Sequence, residues 1–323
     1  MNNLLLDALK EARTIAITGH TRPDGDCVGS CMGLYHYIRD NYPEKKTDIF
    51  LEDFSDCYRM IQKSDQIKNP EQVDPSQVYD LFIVLDCSSK ERMTEGMETC
   101  FEKAHWTLNI DHHISNTGYA QENHVAADAS SASEVVFYLL RKEYIQKACA
   151  ESLYMGMICD SGVFKYSQTS EKTMNAAGVL LSKGVDSRRW IDGVFYEKTY
   201  TQNRLMGRAL LESRLTEDGT CISSCITREI FEEYGADRND LEGIVEQMRL
   251  TKGVEVAILI SQTDDDTYKF SLRSKERVDV NRIAGMFGGG GHKLAAGATV
   301  TGDWETTAET MIKAVKEQLD GNV

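Results

Sequence analysis

Short apolar runs alternate with helical patterns through the first half of this chain. The stretches "TIAITG" (14–19), "TDIFLE" (47–52), "YDLFIVLD" (79–86) and "HWTLNID" (105–111) predict buried strands. Between the first two, Val28, Met32, Tyr35 and Ile38 recur at helical spacing, and "SASEVVFYLLRKEYI" predicts a second helix from 131 to 145. Leu4, Leu5, Ala8 and Leu9 predict an amphipathic helix at the N-terminus. Strands alternating with helices imply a mostly parallel sheet covered on both faces. In such sheets ligands bind outside the carboxyl ends of the strands.

The pattern changes after residue 185. "DSRRWIDGVFYEKTYTQNRLMGRALLESR" is polar and helical, and reads as a bridge. "TCISSCIT", "VEVAILISQ" and "TYKFSLRS" predict strands, with a helix through "NDLEGIVEQMRL". "SQTDDDTYK" reads as a hairpin turn with solvated acids. A short helix over 280–287 leads into "GGGG", then a strand "LAAGATV" and a closing helix. The expected fold class is α/β: an N-terminal domain over 1–186 with a mostly parallel sheet flanked by helices, a helical linker over 187–205, and a smaller α/β domain over 206–323.

A length of 323 residues fits that two-domain reading. The 36 basic residues against 51 acidic ones give a net charge of −15, which argues against a track that holds long nucleic acid through counterion release. Acidic proteins still handle phosphates when bound cations invert the local sign. No apolar run approaches the roughly 20 residues that cross a bilayer, so no membrane partner is expected. The N-terminus lacks the basic start and cleavage site of a signal peptide, and a cytoplasmic location is expected. The nine cysteines form no framework, which suits a reducing compartment. Cys221 and Cys225 read as buried small hydrophobes, and Cys27, Cys87 and Cys159 as packing residues beside aspartates.

Those aspartates are the candidate chemistry. His20, Asp24 and Asp26 fall within "GHTRPDGDC", on the loop between the first strand and the next helix. Singly, Asp26 would serve as an N-cap and Asp24-Gly25 as a turn. Asp86 ends "LFIVLD", where an acid is expensive to bury unless paired or metal-bound. Asp111, His112 and His113 end the next strand, and Asp160 ends the apolar "SLYMGMICD". At least four carboxylates and two imidazoles thus converge on one sheet edge, where two divalent cations would neutralise them. Mixed imidazole and carboxylate donors favour Mn2+ over Mg2+ or Zn2+. Adjacent strand residues point in opposite directions, so His112 and His113 are expected to face different things.

Taken together, "HTRPDGD", "VLD", "DHH" and "MICDSG" resemble the four motifs of the DHH phosphoesterase superfamily, in order and spacing. "FSLRS" and "FGGGGHKLAAGAT" resemble its DHH-associated domain, so the resemblance spans nearly the whole chain. Short stand-alone members are oligoribonuclease/pAp phosphatases (nano-RNases), relatives of the much longer RecJ exonucleases. The resemblance implies one metal ion on His20, Asp24 and Asp86, and a second on Asp26, Asp86, His112 and Asp160, with Asp86 bridging and catalytic. It implies that Asp111 orients the neighbouring histidine from behind the ligands. It also implies that His113 faces the substrate phosphate as a second catalytic group, with the active site in a cleft between the domains. Glycine backbone N–H groups can approach an anion closely, and the resemblance implies that Gly288, Gly289, Gly290, Gly291, His292 and Arg273 grip the far end of a nucleotide.

The expected activity is metal-dependent hydrolysis of RNA of about two to five nucleotides, an upper bound set by the lack of a basic track, and of 3′-phosphoadenosine 5′-phosphate (pAp). A phosphodiesterase for linear or cyclic dinucleotides (pApA, pGpG, cyclic di-AMP) is the nearest rival. A family II inorganic pyrophosphatase would lack the "GGGGH" loop, and a non-catalytic RNA-binding module would not retain every metal-ligand type. The expected partners are short RNA or nucleotides, with a homodimer as one admissible assembly.

Overall fold

The computed structural model describes residues 4–74 and 76–321; the first three positions of the expected N-terminal domain, Pro75 and the last two residues lie outside it. The chain divides into two compact units, Met1–Glu197 and Lys198–Val323. No helix among the described residues is long and apolar enough to cross a membrane.

The first unit opens with α1 (Leu4–Glu11), β1 (Thr14–Thr18) and α2 (Gly25–Asn41), followed by β2 (Lys46–Phe50) and the two-residue β3 (Ile67–Lys68). Next come β4 (Leu81–Leu85), α3 (Glu98–Lys103), β5 (Trp106–Asp111) and β6 (Glu122–Val125). Four helices close the unit: α4 (Ala132–Leu139), α5 (Lys147–Asp160), α6 (Glu171–Ser182) and α7 (Ser187–Ile191). The six strands form one sheet in the order β3-β2-β1-β4-β5-β6, and every pairing is parallel. Both faces are covered. Along β4, Leu81, Ile83 and Leu85 join the core with α2, α4 and α5, while Phe82 and Val84 join a second cluster with Met97 and Phe101. This explains the uninterrupted apolar runs, since neither face of a strand meets water.

From β1 the chain first builds outward through β2 and β3, then returns to place β4 on the other flank of β1. The reversal between β1 and β4 is the switch point at which doubly wound sheets open a crevice for ligands. Helix α2 is buried from Gly25 to Ile38 because it packs directly against α5. A Cβ on Gly29 would lie 2.7 Å from the Cα of Gly156, so only glycine permits this approach. The crossing also fixes the distance between the start of α2 and the end of α5.

Two expectations change here. The helix read over 131–145 ends at Leu139, where Leu140 turns extended and a 3-10 turn over Lys142–Tyr144 reverses the chain. Leu140 and Ile145 still bury their side chains from this irregular segment, so the apolar spacing outlasts the helix. Strands β3 and β6 carry no apolar run, being a two-residue edge and the polar sequence ENHV.

In the second unit, α8 (Tyr200–Leu211), β7 (Arg214–Leu215), β8 (Cys221–Ile226), α9 (Arg228–Tyr234) and α10 (Ile244–Arg249) precede the hairpin β9 (Val256–Asp264) and β10 (Thr267–Ser274). They are followed by α11 (Val280–Gly285), β11 (Gly290–His292), β12 (Ala295–Thr301) and α12 (Trp304–Leu319). The sheet order is β11-β12-β10-β9-β8-β7, antiparallel except for the parallel β8–β9 pair. The helix read through "NDLEGIVEQMRL" is broken at Gly243, whose φ of 84° interrupts it between a 3-10 turn and α10. Part of the glycine run is strand rather than loop, since β11 pairs with β12.

Candidate active site

The carboxyl ends of β1, β4 and β5 carry the first three motifs, and α5 brings in the fourth. His20 follows β1, and its Nδ1 donates to the Thr21 carbonyl at 2.8 Å. That bond turns Nε2 toward Asp86 Oδ2 (3.5 Å) and Asp24 Oδ1 (3.7 Å). Asp24, not Asp26, is the N-cap of α2, accepting from the backbone N–H groups of Asp26 and Cys27. Asp26 sits inside the first turn and is buried. Its two oxygens accept from the N–H groups of Ala132 (2.6 Å) and Ser133 (2.9 Å), at the start of α4.

Asp86 stands one residue past β4 with a φ of 52°, a left-handed backbone that aspartate tolerates better than most side chains. Its side chain is 3% exposed, and Oδ1 has no hydrogen-bond donor among the described residues. Around that oxygen lie His112 Nε2 at 3.4 Å and His113 Nδ1 at 3.6 Å. His112 Nε2 also lies 3.4 Å from Asp160 Oδ2 and 3.9 Å from Asp26 Oδ2. Asp160 is the last residue of α5, where the helix dipole disfavours an acid. Beyond it, Gly162, Val163 and Phe164 all have φ between 57° and 63°. A β-branched residue in that region is strained, and the turn is held by Val163 N–H on the Ile158 carbonyl and Phe164 N–H on Ser161 Oγ.

The two adjacent histidines do not diverge as strand pleating alone predicts. β5 ends at Asp111, so both lie past the last ladder position, and their ring centroids are 4.6 Å apart. What separates them is hydrogen bonding. Asp111 Oδ1 accepts from the His112 backbone N–H (2.8 Å) and from His113 Nδ1 (2.7 Å), and its Oδ2 accepts from Asn116 (2.6 Å). His113 is therefore held by its Nδ1, while the His112 ring turns its Nε2 to the acids.

The charge balance is visible in the titration behaviour. Burial opposes the charged form of His20, yet the Asp24 and Asp86 carboxylates outweigh it and push the ring up to about 12. His112 rises to about 10 against the same burial, through Asp86 first and then Asp26 and Asp160. Burial, with repulsion from Asp86 and Asp160, holds Asp26 well above the carboxylate range. Burial likewise lifts Asp160 to about 6. Imidazoles held in the charged form, with Asp26 and Asp160 shifted toward the neutral form, are signs of a cluster with too much negative charge for its own cations.

A cavity of about 150 Å³ opens on this cluster, lined by His20, Asp24, Asp86, His112, His113 and Asp160, with Ser88 and Arg92. Donor atoms converge in three sets: His20, Cys27 and Asp86; Asp86, His112 and His113; and Asp26, His112 and Asp160. A divalent cation fits this donor set. Among the described residues Asp86 Oδ1 is buried without a donor, and the Thr21 bond leaves His20 Nε2, which ligates once its proton is displaced, facing the acids.

Four residues with a part in the site have no signal as clear as the motifs. Asn109 bridges the Val84 and Cys87 carbonyls from within β5, and Asn116 links Asn109 to Asp111. A polar residue in a buried run marks Asn109; Asn116 stands three positions past the paired histidines. Ser88 and Arg92 follow no periodicity. Arg92 reaches the cavity because its carbonyl accepts from Thr21 N–H (2.8 Å) and Met93 bridges to His20. It is the one Lys or Arg among the described cavity-lining residues, and no carboxylate pairs with it among those described.

In the second unit, Arg273 is the penultimate residue of β10 with its Nε 3.1 Å from Glu246 Oε1, so its charge is shared with an acid. The glycines serve packing as well as exposure. A Cβ on Gly289 would meet the Gly297 carbonyl oxygen at 2.2 Å, and one on Gly291 the Ala295 oxygen at 2.5 Å. Gly288 has a φ of 72°, Gly290 pairs with Gly297, and His292 is exposed.

Comparison with known proteins follows this division. The "DHH family, N-terminal domain" matches residues 14–157, and the "DHHA1 domain" matches residues 219–321. The chain is 29% identical over 308 residues to the bifunctional oligoribonuclease and PAP phosphatase NrnA of Bacillus subtilis, covering 93% of each. It is 28% identical over 323 residues to the protein of the same name in Thermus thermophilus, covering 98% of this chain and 94% of that one. The crystal structure of an exopolyphosphatase-related protein from Bacteroides fragilis superposes with a TM-score of 0.85 at 26% identity, covering 97% of this chain and 95% of that one.

Proposed function

We propose a reaction for this chain from the premise that it belongs to the DHH family and is a phosphoester hydrolase: it removes mononucleotides from RNA of a few nucleotides and converts pAp to AMP. Two divalent cations, Mn2+ by the mixture of donors, are the proposed cofactors. His20, Asp24 and Asp86 would hold one, and Asp26, Asp86, His112 and Asp160 the other. When bound, the cations supply charge neutralisation and a water acidic enough to attack phosphorus at neutral pH.

The protein's own groups do the rest. The Asp111 bond to His113 Nδ1 raises that ring's affinity for a proton, against burial, and leaves Nε2 to donate to the departing oxygen. Asn116 holds Asp111 in turn. Arg92, on the rim of the same cavity, pairs with a non-bridging phosphate oxygen. Arg273, His292 and the Gly288–Gly291 run are proposed to bind the nucleotide's other end. The proposed partners are short RNA and nucleotides, in a cytoplasmic setting.

The observation that carries this reading is the orphaned, buried Asp86 Oδ1 with two imidazoles within 3.6 Å. The test is phosphate and mononucleotide release from pAp, pApA and RNA dimers by chelator-treated protein with and without added Mn2+. Turnover that returns with Mn2+ is expected. A protein that hydrolyses none of these with any divalent cation would refute it.

A further inference from the structure

We propose that the first unit holds a nucleobase subsite of its own: an open apolar depression next to the acidic cavity, bordered by Ile114, Ala127 and Ala129. The inference rests on the nucleotide-hydrolase reading above and adds where the base goes. The depression is shallow and open to solvent, and His112 and His113 line both it and the acidic cavity. A ligand spanning the shared wall would have a polar anionic end and a flat apolar end. That is the chemistry of a nucleotide, and it is not that of an inorganic polyphosphate.

Four further observations favour a ligand over bare solvent. Ile114 is 89% exposed although it immediately follows two site histidines, so a large apolar side chain stands uncovered beside the chemistry. The opposite wall is firm, because Ala126 N–H bonds the Asp111 carbonyl at 2.9 Å and Ala129 N–H bonds that of Ala126. At the rim, Gln168 Nε2 donates to the Asp160 carbonyl at 3.1 Å, which leaves its amide oxygen free to accept from a base. Of the two shared histidines, His113 is also held in place, since Asp111 accepts from its Nδ1.

The test uses the full chain, labelled with 13C at isoleucine δ1 methyls, titrated with AMP and with ribose 5-phosphate in the presence of Mg2+. The Ile114 methyl should show nuclear Overhauser contacts to the purine protons of AMP. AMP should bind about tenfold tighter than ribose 5-phosphate, as stacking a base against a side chain implies. In Ile114→Asp, a surface change that leaves the core intact, that ratio should fall to about twofold or less. Equal affinities for the two ligands in wild type, or no methyl–purine contact at saturating AMP, would overturn the subsite. Neither readout needs turnover, so this failure is distinct from a failure to release phosphate.

Discussion

Asp86 Oδ1 and His112 Nε2 approach to 3.4 Å, and no group among the described residues donates a well-formed hydrogen bond to that oxygen. A buried acceptor left open costs stability, so its retention points to a ligand absent from the chain itself. Asp86→Asn and Asp86→Ala should both abolish turnover. They should differ in stability, because residue 86 has a φ of 52°, which asparagine tolerates and alanine does not. Both remove the charge, so urea unfolding of the metal-free proteins isolates the backbone effect. Alanine should be less stable by about 1 kcal/mol. An alanine variant at least as stable as asparagine would contradict the left-handed assignment.

Arg273 and His292 are predicted to act on grip rather than chemistry. Arg273→Ala and His292→Ala should each weaken kcat/KM for pAp by about 1–3 kcal/mol. The loss on bis(4-nitrophenyl) phosphate should be much smaller. For Arg273 the effect should fall at the low end, since Glu246 already shares its charge. Equal losses on both substrates would place these residues at the site of bond cleavage or show misfolding.

Glu255 ties together the second unit. Its Oε1 accepts from the N–H groups of Glu276 (2.9 Å) and Arg277 (2.6 Å) and from Ser274 Oγ (3.0 Å). Burial works against the carboxylate, but these donors outweigh it and hold its pKa below the ordinary 4.5. A depressed pKa contributes stability above the unfolded value, and the contribution is lost as pH falls through the folded one. Glu255→Gln should therefore be destabilised by about 1–3 kcal/mol at pH 7. The gap to wild type should shrink steadily below pH 4.5, the unfolded value. Parallel denaturation curves from pH 7 to pH 3 measure it; a gap independent of pH would refute the charge-assisted role.

Substrate length should matter steeply. With 36 basic residues against 51 acidic ones, attraction for phosphate is confined to the site, and each added nucleotide meets a surface of the wrong sign. Initial rates should be highest for about two to five nucleotides and fall beyond, more so at low salt. The check is rate against RNA length at two ionic strengths with fixed Mn2+. A 24-mer cleaved as fast as a dimer at low salt would point to a processive nuclease.

The sequence made most of the first unit legible because parallel strands buried on both faces are apolar throughout, and because the site acids interrupt those runs at their ends. His20, Asp86 and Asp111 each stand where an apolar run stops. Edges were not legible: β3 and β6 pair through backbone alone, with no side-chain pattern to betray them. The helix boundary at Leu139 was hidden because burial, not helicity, produced the apolar spacing. The N-cap fell to Asp24 rather than Asp26, a choice settled only when α4 offers two N–H groups to the second acid. Arg92 escaped because its place depends on a backbone contact with Thr21, seventy-one positions earlier (92 − 21).

That grip of Asp26 on the first turn of α4 has a consequence for descent. Asp26→Ala should lose about 2 kcal/mol or more in metal-free protein, where no ion is involved, because two N–H groups are left unmet. A stability equal to wild type under chelation would disprove it. A lineage released from selection for hydrolysis can let Asp86 or His112 drift and keep a folded relic. It cannot let Asp26 drift as freely, because that side chain is also a fastener of the architecture. Retired copies of this protein should accordingly be recognisable by an aspartate that outlives the reaction it once served.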